Sequence, residues 1–360
     1  MLERFKVPVA DRIYVKQERM RAATEALFRK VGMDDEDART STDVLITNDL
    51  RGVESHGVSN GMRRYVQSYS SGELNPRPNF KIVRESDTTA TMDADGALGI
   101  HVGPMAMNMT IDKAEKHGMG AVSVFNSGHL AGCGYYAMLA AQRDMIGHCM
   151  TAGGAGLTPP TFGAEPRFGT NPIAYAAPAR HQPPFLFDVA TTQVANNKIG
   201  LAERVGANLL PGWIATEDGT PIMEEGPAPD KYYMLPIGGT RENGSHKGYG
   251  FMLMNEIMCN ELSGFGPGFL AGRRGGGHFF AAYKIDAFTD LEKFKDDMDT
   301  LLEALKTTKP APGHDRVYYA GLQEAEETEQ RTRDGIPYHK EVIEWYKSIG
   351  AELNVPIDLP

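Results

Sequence analysis

GAVSVFNSGHLAGCGYYAMLAAQRDMIGHCMTAGG, residues 120–154, decides how this chain folds. Ala121–Phe125 carries small, β-branched and aromatic side chains and reads as a buried strand. Ser127–Gly134 is a tight glycine-rich loop, Tyr135–Arg143 has the composition of a helix, and Ile146–Thr151 supplies the next apolar strand. This succession points to a mixed α/β (α+β) core.

On the N-terminal side the pattern turns helical from Arg12 to Arg51. Ile13, Met20, Ala23, Leu27 and Val31 recur near a 3.6-residue period up to Gly32. Asp34 or Asp35 then caps a second helix with Ala38, Val44, Leu45 and Leu50 on its buried face, and Gly52 stops it. Residues 66–100 hold proline- and glycine-rich turns with two short alternating strands, FKIVRES (80–86) and TTATMDAD (88–95), before a helix around Gly103–His117.

On the C-terminal side, strands are expected at Pro172–Ala177, Phe185–Val189 and Gly277–Ile285. Lys247–Glu261 reads as a largely buried helix, and GRRGGGHFF, Gly272–Phe280, as a flexible turn leading into a strand. The helical segment from Leu291 sets Leu291, Phe294, Met298, Leu301, Leu302 and Leu305 on one side, and EVIEWYKSIGAEL (341–353) makes a last amphipathic helix. The organisation expected is a helical region, 1–85, packing with a second helical region, 287–360, around a mixed α/β core over 86–286.

With 360 residues, 41% hydrophobic and 23% charged, the chain has a globular composition, and no apolar run approaches the ~18–20 residues that span a bilayer. The net charge is −10 and the basic residues are dispersed, which excludes the electrostatic footprint of a nucleic-acid binder. The N-terminus lacks the apolar stretch and cleavage site of a secretion signal. Cys133, Cys149 and Cys259 are odd in number, far apart and never paired as CxxC, as expected of reduced thiols in a cytoplasmic protein. No histidine shows HxxxH or HxH spacing, so no metal site is expected.

Two histidines stand in loops between small residues: His56 in NDLRGVESHGVSNGMRRY (48–65) and His129 in SGHLAGCG. An imidazole with an ordinary pKa near ~6.5 exchanges protons at neutral pH, so each is a candidate general acid/base, or else the cap of a turn. His101, His117, His148, His181, His278, His314 and His339 lack such surroundings and are assigned to packing or the surface. Thr170 and Asn171 in RFGTNPIAYAAP can fix a bend or grip a polar ligand. Asp188, ending the strand in FLFDVATTQ, can orient an imidazole or a ribose hydroxyl, or cap a helix. Lys247 and Gly248 open a helix whose N-terminus favours anions. Neither GxGxxG nor a Walker motif is present.

Taken in order, DLRGVESHG (Asp49–Gly57), SGHLAGCGYY (Ser127–Tyr136), FGTNPIA (Phe168–Ala174), FDVATT (Phe187–Thr192) and HKGYG (His246–Gly250) resemble the malate/L-lactate dehydrogenase family that lacks the Rossmann fold. The likeness continues through GWIATEDGTP, PIGG and VYYAG and covers almost the whole chain. Ureidoglycolate, sulfolactate and diketogulonate-type oxidoreductases and a cyclic imine reductase belong to that family. The resemblance implies helical terminal regions around a mixed-sheet core, a homodimer, and hydride transfer between NAD or NADP and a small 2-hydroxy or 2-oxo acid such as malate or lactate. It assigns cofactor contacts to Gly153, Thr170, Asn171, Asp188, Val189, Ala190, Lys247, Gly248, Gly321, Leu322 and Gln323. It makes His129 the acid/base, with His56 binding the substrate oxygen or sharing that role.

The chain departs from the family at the substrate end. Four residues past His56, where the family carries a carboxylate-binding arginine, stands Asn60, and the stretch to Tyr65 is one residue longer. Ser55, Asn60, Arg63 and Arg64 are therefore the substrate candidates. Ala152-Gly153 replaces a polar pair after the second strand, and Ala320-Gly321-Leu322 a proline-glycine-acid turn. Alternative expectations are an NAD(P)H-dependent reductase of cyclic imino acids, a metal-assisted hydrolase using His56, His129 and Asp188, and a non-catalytic binding protein.

Overall fold

The computed structural model describes residues 3–153, 156–270 and 275–360; the first part of the turn expected from Gly272, residues 272–274, lies outside them. The chain opens on β1 (Arg12–Val15), α1 (Gln17–Lys30), α2 (Asp35–Leu50) and α3 (Val58–Ser70). There follow β2 (Lys81–Glu85), β3 (Thr89–Asp93), α4 (Gly99–His117), β4 (Met119–Ser127), α5 (Gly134–Ala141) and β5 (Met145–Gly153). Next come β6 (Ile173–Ala177), β7 (Phe185–Val189), α6 (Asn196–Val205), β8 (Ile214–Ala215), β9 (Tyr233–Met234) and α7 (Ser245–Glu256), prolonged by a π turn over Ile257–Glu261. β10 (Gly276–Lys284), α8 (Leu291–Lys306), α9 (Leu322–Asp334), β11 (Ile336–His339) and α10 (Lys340–Leu353) complete it.

Seven strands form one sheet in the order β2-β3-β4-β10-β5-β6-β7. β3 runs parallel to β4 and the other neighbours are antiparallel, so the sheet is mixed. The two strands of the 120–154 segment are not neighbours. β10 lies between them, with Phe280 opposite Val122 on one side and Cys149 on the other. A strand in that position is enclosed on both faces, which is why GGHFFAA is buried without alternation.

α4 and α5 cover one face of the sheet, burying Val122, Val124, Tyr136, Ala137, Cys149 and Phe280 in the main core. The helix lies directly on the strand at Gly147, where a Cβ would stand 2.1 Å from the Ala137 carbonyl oxygen. The opposite face carries a smaller cluster of Met150, Ala152, Cys259, Phe279 and Ala281, and leaves Met119, Tyr175 and Phe187 exposed.

The C-terminal segment returns to the N-terminal helices. β11 pairs with β1 antiparallel, and the Tyr346 and Thr24 hydroxyls share a buried hydrogen bond of 2.8 Å. Asp49, the buried penultimate residue of α2, accepts from Val58 N (3.0 Å) and from the Tyr338 hydroxyl (2.9 Å) through Oδ2. Arg331 donates to the Asp49 carbonyl (2.7 Å) and pairs with Glu54 (2.6 Å).

Four local expectations are corrected. Arg12–Val15 is a strand, not the start of a helix, because its partner, more than 300 residues away, supplies hydrogen bonds that a 3.6-residue count cannot see. Residues 58–70 form a helix reaching into the region expected to hold only turns and strands, with Met62, Tyr65, Val66 and Tyr69 buried. α4 starts at Gly99 and carries Pro104 inside it. α7 is not largely buried: Phe251, Leu253, Met254 and, in the π turn, Ile257 are 45–50% exposed. Along α8, Leu302 is buried while Leu301 and Leu305 are exposed, so the apolar side is only partly covered.

A Cβ on Gly57 would stand 1.7 Å from Asp49 Oδ1, although the backbone there (φ −96) suits any residue. Gly57→Ala is expected to lower unfolding free energy by about 1–3 kcal/mol in urea titration through this overlap alone.

Candidate active site

His56 ends a single 3-10 turn, Glu54–His56, that follows α2 and leads into α3. Its ring is oriented by the Ser55 hydroxyl at Nδ1 (2.8 Å), and its carbonyl accepts from the Asn48 side chain (3.2 Å). His129 lies in the loop between β4 and α5. That loop is pressed against the first residue of α4, where a Cβ on Gly99 would stand 2.8 Å from the carbonyl oxygens of Gly128 and His129. The Tyr65 hydroxyl, from α3, meets His129 Nδ1 at 2.6 Å. The two imidazoles stack with centroids 5.8 Å apart and planes 19° from parallel.

Both rings open onto one cavity of about 760 Å³, within the size range of small-ligand and cofactor sites. Surrounding protein lowers the His56 pKa to about 4, with further depression from Lys198 and Arg64. Burial, then Arg64, His56 and His278, hold His129 well below the ordinary histidine value. Both rings are therefore neutral at pH 7. Burial pushes Tyr65 up to about 12, so its hydroxyl keeps its proton.

The far wall is built from strand ends. Asp188, next to last in β7, accepts from Gly134 N (2.7 Å) and lines the cavity. The protein around it raises its pKa to about 6 against the pull of Gly134 N and Arg51. Asn171 adopts a left-handed backbone (φ 37), and its Nδ2 donates to the Met252 carbonyl (3.1 Å). Its buried Oδ1 has no hydrogen-bond partner among the described residues, although Asn171 lines the cavity. An unpaired buried acceptor calls for a ligand donor or water.

A nicotinamide dinucleotide fits this donor and acceptor set. Asp188 offers an acceptor to ribose hydroxyls and Asn171 Oδ1 one to an amide N–H, while Gly153, Thr170, Val189 and Ala190 line the space between. Gly153 faces Gly276, and a Cβ on the latter would come 2.2 Å from the Ala152 carbonyl oxygen, so this wall has no room for side chains.

Ser55 and Arg64 also line the cavity, but other sequence candidates do not. The Asn60 amide donates to the Asn197 carbonyl (2.9 Å), and Arg63 is exposed. Lys247 is exposed at the start of α7, and Gly248 backs the cavity residue Ile237, with a Cβ position 2.3 Å from its carbonyl oxygen. Gly321 and Leu322 support β7, where Leu186 N donates to the Ala320 carbonyl (2.9 Å), and Gln323 is exposed.

Three cavity residues were absent from the sequence assignment. Tyr65 holds His129. His278, assigned to packing, binds the Thr151 hydroxyl through Nδ1 (2.7 Å) and the Ser127 hydroxyl through Nε2 (2.9 Å), linking three strands beneath the site. Lys198 stands in the first turn of α6; as the lone charge between Asp188 and Glu203 in an uncharged stretch, it carried a legible signal. Among the described residues no three or more His, Cys, Asp or Glu side chains converge as a metal-binding group, so the metal-assisted alternative finds no ligand set there.

The family model for malate/L-lactate dehydrogenase matches residues 15–346. The malate dehydrogenase of Pyrococcus abyssi is 37% identical over 355 residues, covering 95% of this chain and 97% of that protein. The L-sulfolactate dehydrogenase of Methanocaldococcus jannaschii is 33% identical, covering 92% and 95%. The crystal structure of malate dehydrogenase from Entamoeba histolytica superposes with a TM-score of 0.91 at 34% identity, covering 97% of this chain and 100% of that one. The chain is thus a member of the malate/L-lactate dehydrogenase family, an oxidoreductase acting on CH–OH groups.

Proposed function

We propose that the chain interconverts a small 2-hydroxy acid and its 2-oxo acid, malate, lactate or a close relative, with NAD or NADP, and that His129 exchanges the proton. The observation that carries this is the His56–His129 stack, with Tyr65 on His129, facing a cavity whose other wall ends in Asp188 and Asn171. The bound nicotinamide supplies the hydride acceptor or donor.

In oxidation a neutral imidazole is needed to take the hydroxyl proton, and the depressed pKa of His129 keeps it neutral. With Nδ1–H donated to the Tyr65 oxygen, Nε2 carries the free lone pair. Tyr65 can also donate to Nδ1, so the same contact serves either tautomer. In reduction the ring must arrive protonated, and an anionic substrate beside it raises its pKa toward that state. His56, its Nδ1 engaged by Ser55, has Nε2 left for the substrate oxygen. Arg64, whose guanidinium carbon lies 5.6 Å from the Tyr65 ring centre, brings a cation to the His129 side.

A homodimer is supported by the uncovered apolar side chains Phe251, Leu253, Met254 and Ile257 and by the open sheet face at Met119, Tyr175 and Phe187. Three buried free cysteines support a reducing, cytoplasmic setting.

His129→Asn is expected to lower kcat about 10²–10⁴-fold while nicotinamide fluorescence still reports binding; full turnover in this variant would pass the proton role to His56. Because the His129 pKa is lowered on folding, its base form survives as pH drops past the ordinary value and is lost only at the lower folded value. In a pH profile of kcat/KM for the hydroxy acid with saturating cofactor, the acidic limb for oxidation should therefore lie below about 6.5. Phe251→Glu combined with Met254→Glu is expected to halve the mass measured by light scattering; an unchanged mass would reject this face as the dimer contact.

A further inference from the structure

Resting on the dehydrogenase proposal above, one cation in the cavity has no assigned work. Lys198 lines the cavity, and its ammonium makes no hydrogen bond or ion pair among the described residues. Burial lowers its pKa from the ordinary lysine value, and Asp188, Glu324 and Glu54 oppose that only through space. A cation held from bulk water without a counter-charge is costly unless a ligand supplies one.

Its position is built rather than incidental. The Asn60 side chain donates to the Asn197 carbonyl (2.9 Å), and the Asn197 side chain donates to the Ser55 carbonyl (2.7 Å). These two bonds fasten the first turn of α6 to the turn carrying His56 and set Lys198, the next residue, against the reacting rings. Asn60 thus stands outside the cavity, and its side-chain bond helps to locate a cation from another helix. Lys198 acts electrostatically on His56, whereas Arg64 is the foremost charged neighbour of His129. Both cations line the same cavity as the ring pair, and Arg64 acts on His56 as well.

We propose that Lys198 binds the substrate carboxylate adjacent to the reacting carbon, and that with Arg64, which lines the same cavity beside Tyr65, it makes the site select acids bearing two anionic groups over monocarboxylates. The ammonium is a point charge that takes one carboxylate oxygen, while the planar Arg64 fork suits a second carboxylate or another oxyanion.

The test compares wild type, Lys198→Met, Lys198→Arg and Arg64→Met on oxaloacetate and pyruvate with NADH and NADPH, alongside calorimetric titration of the unreactive dianion malonate into NADH-loaded protein. Wild type should favour oxaloacetate by at least about tenfold in kcat/KM. Lys198→Met should raise the KM for both acids about 10²-fold with a smaller change in kcat and no change in nicotinamide KM, and should weaken malonate to match. Lys198→Arg should recover most of that loss, which a merely structural role would not allow, and Arg64→Met should reduce the oxaloacetate-to-pyruvate ratio. The proposal is overturned if Lys198→Met shifts the nicotinamide KM and leaves the acid KM in place, or if wild type treats the two acids alike. Absence of turnover with every pair would fall on the dehydrogenase proposal instead. Malonate then still decides Lys198: weaker binding in Lys198→Met supports the anchor, while equal binding, or none to wild type, overturns it.

Discussion

The active-site turn depends on one buried carboxylate. Asp49 receives the first amide of α3 and the hydroxyl of Tyr338 on the same oxygen, and its backbone carbonyl receives Arg331. Burial pushes its pKa up to about 8 against the pull of the Val58 amide, the Tyr338 hydroxyl and the Arg331 charge. The donors come from opposite ends of the chain. The turn holding His56 is therefore complete only when β11 and α9 have docked, and Gly57 is the residue that lets the carboxylate lie beneath the backbone.

The other half of the site depends on the sheet. By inserting between β4 and β5, β10 brings the His129 loop and the end of β5 to a common edge and places His278 under both. The cavity forms where these strand ends meet the turns of α3 and α6. Its electrostatics follow from enclosure. Two imidazoles are kept neutral, Asp188 is drawn toward neutrality, and Lys198 and Arg64 form no ion pair among the described residues. Such a cavity sets cations beside neutral imidazoles.

Much of this was legible in the chain because the signals were local. β4, α5 and β5 follow from glycine punctuation and short apolar runs, and β7 from FLFDV, whose bounds agree with those expected. Asp34 or Asp35 was readable as a helix cap, and it is the Asp34 side chain that accepts from Glu36 N and Asp37 N. His56, His129, Asp188 and Asn171 stood out as polar residues in small-residue loops and do share one cavity. β1 was hidden because Ile13 falls in phase with Met20, Ala23 and Leu27 of the helix that follows, and only the pairing with Tyr338 and Ile336 reveals the strand. Lys247 and Gln323 carried motif resemblance, yet both point to solvent-exposed positions.

The sequence by itself determined the family, the mixed α/β class and the two imidazoles, since these are written as residue types at short spacings. Only the tertiary structure decided which polar groups share the cavity: Tyr65 on His129, His278 beneath it, Lys198 near His56, and Asn60 turned away to hold α6. The physical reason is range. Periodicity and turn chemistry act over a few residues, whereas the burial that shifts a pKa or strands a cation is the sum of surfaces brought together from across the chain.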